Sequence, residues 1–123
     1  MTDLVPEHPG AIDLKKYGAR LFIDGARIFA LAHGISATNT VQRIKLTAQV
    51  MNVSQEDMSA SIDAFNFIQL MRLRHQHFEE SHGRKADNLV QPDTMNEVER
   101  RILKEAFRQA RKVQQRLKLD YQI

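Results

Sequence analysis

The stretch from Ser54 to Gly83 constrains this chain more than any other. It reads as one long helix, opened by Ser54 with Asp57 three residues on and closed by Gly83. Its first half carries an apolar stripe of Met58, Ile62 and Phe65. Continued at the same spacing, the stripe becomes Gln69, Arg72 and Gln76, so one line along the helix turns from apolar to polar halfway. A fold containing this helix must bury one part of the line and find partners for the rest.

Three further helices are predicted around it. Asp13 stands where an N-cap belongs, and Leu14 to His33 follows as a first helix ended by Gly34. Its stripe is Leu14, Gly18, Leu21, Gly25, Ile28 and Ala32. Each interior glycine costs roughly 1 kcal/mol in helix propensity, so Gly18 and Gly25 are expected to let another helix approach closely. Arg20, Asp24 and Arg27 form either a charge ladder on the outside of this helix or, for Arg27, a contact to a polar interior or ligand. Asn39 or Thr40 caps a second helix, Thr40 to Met51, with Val41, Ile44, Ala48 and Met51 inward. Thr40 and Arg43 stand together at its start, where free N–H groups and the dipole favour an anion. Asn52 ends it, and the short turn to Ser54 makes the second and third helices neighbours.

After a polar, unpatterned loop from Arg84 to Pro92, Thr94-x-x-Glu97 reads as a capping box for a fourth helix that runs to Leu117 or Leu119. Its apolar seam is Val98, Ile102, Ala106, Ala110, Val113 and Leu117. Residues 1–12, with two prolines and a glycine, read as a linker or arm, and residues 13–123 as one helical domain. With no strand pattern and no repeat, the expected fold is all-α, a four-helix bundle-like domain.

At 123 residues the chain is long enough for a core without staples, and it contains no cysteine. This excludes disulfide frameworks and thiolate metal or nucleophile chemistry, and fits a reducing cytoplasm. No apolar run approaches a membrane span, and the N-terminus lacks a charged-then-apolar signal pattern, so a soluble, cytoplasmic chain is expected. Eighteen Lys and Arg against 15 Asp and Glu give a net charge of +3, too mild for a dedicated duplex-DNA binder. Charge is nonetheless concentrated in one place: Arg108, Arg111, Lys112, Arg116 and Lys118 follow one another without an acid. Such a run suits either a solvated helix end, where cations complement the dipole, or an anionic partner.

No glycine-rich phosphate loop, His-Glu-x-x-His or glycine-flanked nucleophilic serine is present. His75, His77 and His82 cluster in sequence, but only His75 and His82 share a helical face, so no metal site is expected. Arg72-x4-His77 has the spacing used by HEPN-like helical ribonucleases, where Arg and His act on an RNA phosphate. The line Gln69, Arg72 and Gln76 offers a guanidinium for phosphate and amides for a base or sugar edge, or else a polar network satisfied between helices.

Taken together, Ile12-Asp13-Leu14-Lys15, the run Ala26 to Gly34, Thr40-x-x-Arg43, Arg72-Leu73-Arg74-x-Gln76, Asp87-Asn88, Pro92, Glu99-Arg100 and Leu103-Lys104 occur in order across the chain. The pattern resembles the C-terminal substrate-binding domain of bacterial nucleotidyltransferases, multidomain proteins that often also carry cyclic-nucleotide-binding and CBS domains. The resemblance spans about residues 11 to 117. It implies a noncatalytic helical module of a signalling protein that helps hold the acceptor or nucleotide for a separate catalytic domain, in the same polypeptide or a partner chain. Mg²⁺ and a nucleoside triphosphate are implied for that catalytic domain, not for these residues, since this chain has no Gly-Ser turn and no Asp-x-Asp pair. Carried over by position, the substrate-binding residues are Asp13, Lys15, Arg27, Thr40, Arg43, Arg72, Arg74, Gln76 and Asn88. The competing expectation is a helical protein-interaction module, such as a homodimer whose arginines organise the interface.

Overall fold

The computed structural model describes residues 11–121, so residues 1–10 of the expected arm, and the last two residues, lie outside the described residues. The fold is all-α. Four helices carry it: α1 (Arg20–Ala32), α2 (Thr40–Val50), α3 (Gln55–Ser81) and α4 (Glu97–Tyr121). A single π-helical turn, Lys15–Ala19, leads into α1, with Ala19 N–H donating to the Leu14 carbonyl at 3.0 Å. Two two-residue strands, β1 (Ile12–Asp13) and β2 (Leu89–Val90), pair antiparallel with Ile12 opposite Val90 and Asp13 opposite Leu89.

This ribbon was not legible in the sequence, because two residues per strand carry no alternation to read. It moves the expected boundary of the arm. Ala11 and Ile12 are both 1% exposed, and Ile12 is among the largest fully buried side chains, so the packed unit begins before residue 13.

The helix boundaries follow from local chemistry. Asp13 Oδ1 accepts from the N–H groups of Lys15 and Lys16, at 3.0 and 2.9 Å. Asn39 Oδ1 accepts from Gln42 N–H at 3.1 Å, and Ser54 Oγ from Asp57 N–H at 3.1 Å. Each cap satisfies donors that the first turn leaves unpaired. At the other ends, Gly34, Asn52 and Gly83 take φ of 67°, 56° and 71°. The following residues, Ile35, Val53 and Arg84, each reach back 2.9 Å to the carbonyls of Ala30, Ala48 and Glu79. Three helices thus end by the same left-handed turn, twice with Gly and once with Asn, the side chain that tolerates it best after Gly.

The fourth helix starts differently from expectation. Thr94 belongs to a short 3₁₀ turn, Pro92–Thr94, and its hydroxyl donates to the Gln91 carbonyl at 2.7 Å. The capping box is Asn96 with Glu99: Asn96 Oδ1 accepts from Glu99 N–H at 2.8 Å, and Glu99 Oε1 from Asn96 N–H at 3.1 Å. Two overlapping boxes are written into this segment. The one that forms is the one compatible with the turn after Pro92.

The core lies where the π turn and α1 meet α3 and α4. Phe22, Phe107, Ile12, Leu14, Ile68 and Leu103 are essentially excluded from water. Phe22 and Phe65 meet edge to face, with centroids 5.9 Å apart. A Cβ on Gly18 would stand 2.8 Å from Ile68 Cδ1 and 2.9 Å from Phe107 Cε1, and one on Gly25 would overlap Val113 Cγ1. Both glycines therefore serve the close approach that the sequence suggested. The seam of α4 is rotated from its expected line. Leu103, Ala106, Phe107 and Ala110 are buried, whereas Val98 and Ile102 are 60% and 43% exposed. Two apolar lines run along α4, and the larger Phe107 takes the space that Gly18 leaves free. On α3 the buried line is likewise Ala64, Phe65, Ile68 and Met71, one step around from the stripe through Met58, Ile62 and Phe65.

Candidate functional site

Arg72 is the centre of the strongest polar constellation. It sits on α3 just where the apolar line of the helix ends, and it is neither fully buried nor fully exposed. Its Nε–H donates to Asn88 Oδ1 at 3.0 Å and its Nη1 to Gln69 Oε1 at 2.7 Å. A guanidinium has five N–H donors in a rigid fork, so these bonds fix its plane while leaving the Nη2 edge without a protein partner among the described residues. Beside it a cavity of about 460 Å³ is lined by Gln69, Arg72, Leu73, Gln76, Asp87 and Asn88.

The loop that supplies Asn88 is held from several sides. Leu14 N–H donates to the Asn88 carbonyl at 2.9 Å, which ties the loop to the start of the first helix. Asp87 Oδ1 accepts from Leu89 N–H at 3.1 Å and meets His75 Nε2 at 2.9 Å. That pair anchors the loop to α3 one turn beyond Arg72, and His75 is only 17% exposed. Gly83, with its positive φ, turns the chain back so that this can happen.

The residues carried over from the resemblance fall into two groups. Arg72, Gln76 and Asn88 line one cavity, and Asp13 and Lys15 lie at the adjoining ribbon, since Asp13 pairs with Leu89. Asp13 spends a carboxylate oxygen on capping its own helix. Gln76 also reaches Glu80, at 3.1 Å. Arg74, on a neighbouring face, donates to Glu99 and so clamps α3 to the first turn of α4. Glu99 is held below the usual carboxylate range, first by that bond and then by the Asn96 N–H.

Arg27, Thr40 and Arg43 belong to the other end of the first helix, where α1 hands over to α2. Lys15 and Arg27 are 12 residues apart, roughly 15–20 Å along a helix. Arg27 is 56% exposed and 3.9 Å from Asp24, an outer ladder with no turn toward the interior. Arg43 Nε–H donates to the Ala37 carbonyl at 2.7 Å and so shapes the connection ahead of its own helix. The nine residues do not form one site.

His77, the partner of Arg72 in the ribonuclease spacing, is exposed and lies roughly 140° around α3 from it. The histidine brought near the Arg72 loop is His75. Among the described residues no group of His, Asp and Glu is arranged to hold a metal ion. None of these helices is long and apolar enough to cross a membrane. Sequence reasoning did not single out Asp87, His75 or Glu99 as positioning groups. The only signal was the charge complementarity of Arg74 and Glu99, which has no meaning until α3 and α4 are known to pack.

No curated protein and no solved structure matches the chain. A family model does match, described as "Putative nucleotidyltransferase substrate binding domain", over residues 2–121. That span takes in all four helices, the ribbon and the Arg72 cavity, and the chain therefore belongs to the nucleotidyltransferase substrate-binding domain family.

Proposed function

We propose that this domain holds an acceptor or nucleotide for a nucleotidyltransferase catalytic domain, and that the Arg72 cavity is where it does so. The observation that carries the reading is the orientation of Arg72. A guanidinium fixed by Asn88 and Gln69 loses little further freedom when it grips a phosphate, and its unused N–H groups suit two phosphate oxygens. Gln76, on the same wall, supplies an amide for a sugar or base edge. Asp87 is the one carboxylate on that wall, and it is engaged by His75 and Leu89. Lys15 at the adjoining ribbon adds positive charge.

In this reading the transfer chemistry, with its Mg²⁺ and nucleoside triphosphate, stays with the catalytic domain, and this chain positions and regulates. The catalytic domain closes over the cavity, where Leu73, 64% exposed, offers it an apolar contact. A cytoplasmic signalling protein fits the cysteine-free sequence.

Thermal unfolding across nucleoside mono-, di- and triphosphates with Mg²⁺ tests this. A ligand at 100 times its Kd adds about 2.7 kcal/mol to stability, which moves the midpoint measurably. The expected result is a saturable rise for at least one nucleotide that Arg72→Ala removes while far-UV circular dichroism is unchanged. A rise that survives Arg72→Ala would contradict the assignment of the cavity.

A further inference from the structure

The charge of the chain is unevenly placed. Arg100 to Lys118 carry eight Lys and Arg against one acid, Glu105, a net of +7 in 19 residues. The rest of the chain has ten Lys and Arg against 14 acids, a net of −4. The mild total of +3 therefore conceals one strongly basic element, and that element is α4.

On the helix the cations are aligned. Arg100, Lys104, Arg108, Lys112 and Arg116 recur at every fourth residue, and all five are exposed. They make a row about 24 Å long that winds slowly around the helix, by roughly 40° per step. Like charges four residues apart destabilise a helix, and this row sets four such pairs in succession. Local chemistry does not account for it. Glu97, Glu105 and Asp120 pair with Arg101, Arg108 and Arg116, which are too few acids for the cations present. The helix dipole favours cations in the last turn, yet Arg100 stands in the first, where the dipole opposes it, and most of the row lies between.

The composition of the face narrows the partner. From Lys104 to Lys118 every exposed side chain is Lys, Arg, Glu or Gln. A helix that lies on a membrane sets apolar side chains beside its cations, and a protein interface centres on aromatic or aliphatic anchors. This stretch exposes neither. A flexible strand can follow the winding row from end to end, whereas a duplex, stiff over this length, meets only part of it.

We propose that the outer face of α4 binds the phosphodiester backbone of a single-stranded nucleic acid without reading its sequence. Arginine forks and lysine ammonium groups neutralise successive phosphates, and the amides of Gln114 and Gln115 donate to sugar or phosphate oxygens. No residue of α4 lines the Arg72 cavity, so the face does not depend on what that cavity holds.

The test is fluorescence anisotropy of a labelled oligouridylate of about 20 nucleotides, titrated with the intact chain at about 50 and 200 mM salt. The expected result is saturable binding that weakens about tenfold or more between the two salt concentrations. Lys104→Glu with Lys112→Glu weakens it about tenfold or more and flattens the salt dependence. These substitutions relieve like-charge pairs, so the helix is kept and far-UV circular dichroism is unchanged. Arg20→Glu with Lys45→Glu, the same change of charge at exposed positions on α1 and α2, leaves binding within about twofold. Absence of saturable binding at the lower salt would overturn the proposal, as would equal loss in the two double variants, which would reduce the effect to net charge. Tighter binding of a duplex of the same length, of poly-L-glutamate or of phosphatidylserine vesicles, lost in the α4 variant, would overturn it too, by giving the face to a different partner.

Discussion

Arg72 and Thr47 face opposite problems at the scale of single residues. Arg72 is a partly buried cation whose fork is held by Asn88 and Gln69, with no further protein partner among the described residues. Thr47 is a buried hydroxyl with no hydrogen-bond partner among the described residues, an arrangement that costs stability. Replacing it with the near-isosteric Val removes the unsatisfied atom and keeps the packing. Thr47→Val is expected to raise the stability of the ligand-free chain by about 1 kcal/mol in urea unfolding. A loss of stability would show that the hydroxyl has a partner after all. That Arg72 stands on a line that turns from apolar to polar was readable in the sequence, because the switch from Phe65 to Gln69 and Arg72 puts polar groups where apolar ones are due. Thr47 gave no such signal. Between Ile44 and Ala48 it looks like any interior helical residue, and only the packed neighbours deny it a partner.

Elements were legible where their chemistry is local. The caps at Asp13, Asn39 and Ser54, and the stops at Gly34, Asn52 and Gly83, follow from side chains bonding their own backbone and from tolerance of positive φ. Choices decided by distant partners were not legible: which of two capping boxes starts α4, which of its two apolar lines faces inward, and that Ile12 pairs with Val90. The competing boxes make a clean test. Asn96→Ala is expected to cost about 1 kcal/mol and Thr94→Ala clearly less, by thermal unfolding. The reverse order would restore the Thr94 and Glu97 box.

The same helix carries a strongly shifted carboxylate. Glu105 is lowered from 4.5 to about 2, chiefly by its bond to Arg108 and then by that to Gln109. A carboxylate whose pKa falls on folding contributes stability that is complete above its unfolded value and lost as pH drops toward the folded one. Glu105→Gln is therefore expected to cost a few tenths of a kcal/mol at pH 6, the contribution being screened by solvent, and to cost nothing near pH 2. A penalty that persists at pH 2 would assign it to packing instead.

At the scale of the whole molecule, the fold distributes its chemistry along two long helices. Family membership, the all-α class and the four-helix order could all be read from the sequence, since ordered motif blocks and helical periodicity survive without coordinates. The grouping of site residues could not. The nine matched positions look like one list, but the ribbon and the Leu14 to Asn88 bond gather five of them at one end, Arg74 clamps two helices, and Arg27, Thr40 and Arg43 stand at the other end.

The most direct test of the central assignment is a nuclear magnetic resonance titration of the ¹⁵N-labelled chain with the nucleotide that stabilises it most, following the arginine Nε–Hε signals. Saturable shifts are expected at Arg72 and at the amides of Gln69, Gln76 and Asn88, with Arg27 and Arg43 unmoved. Shifts confined to Arg27, Thr40 and Arg43 would contradict the account and move the site to the α1–α2 end.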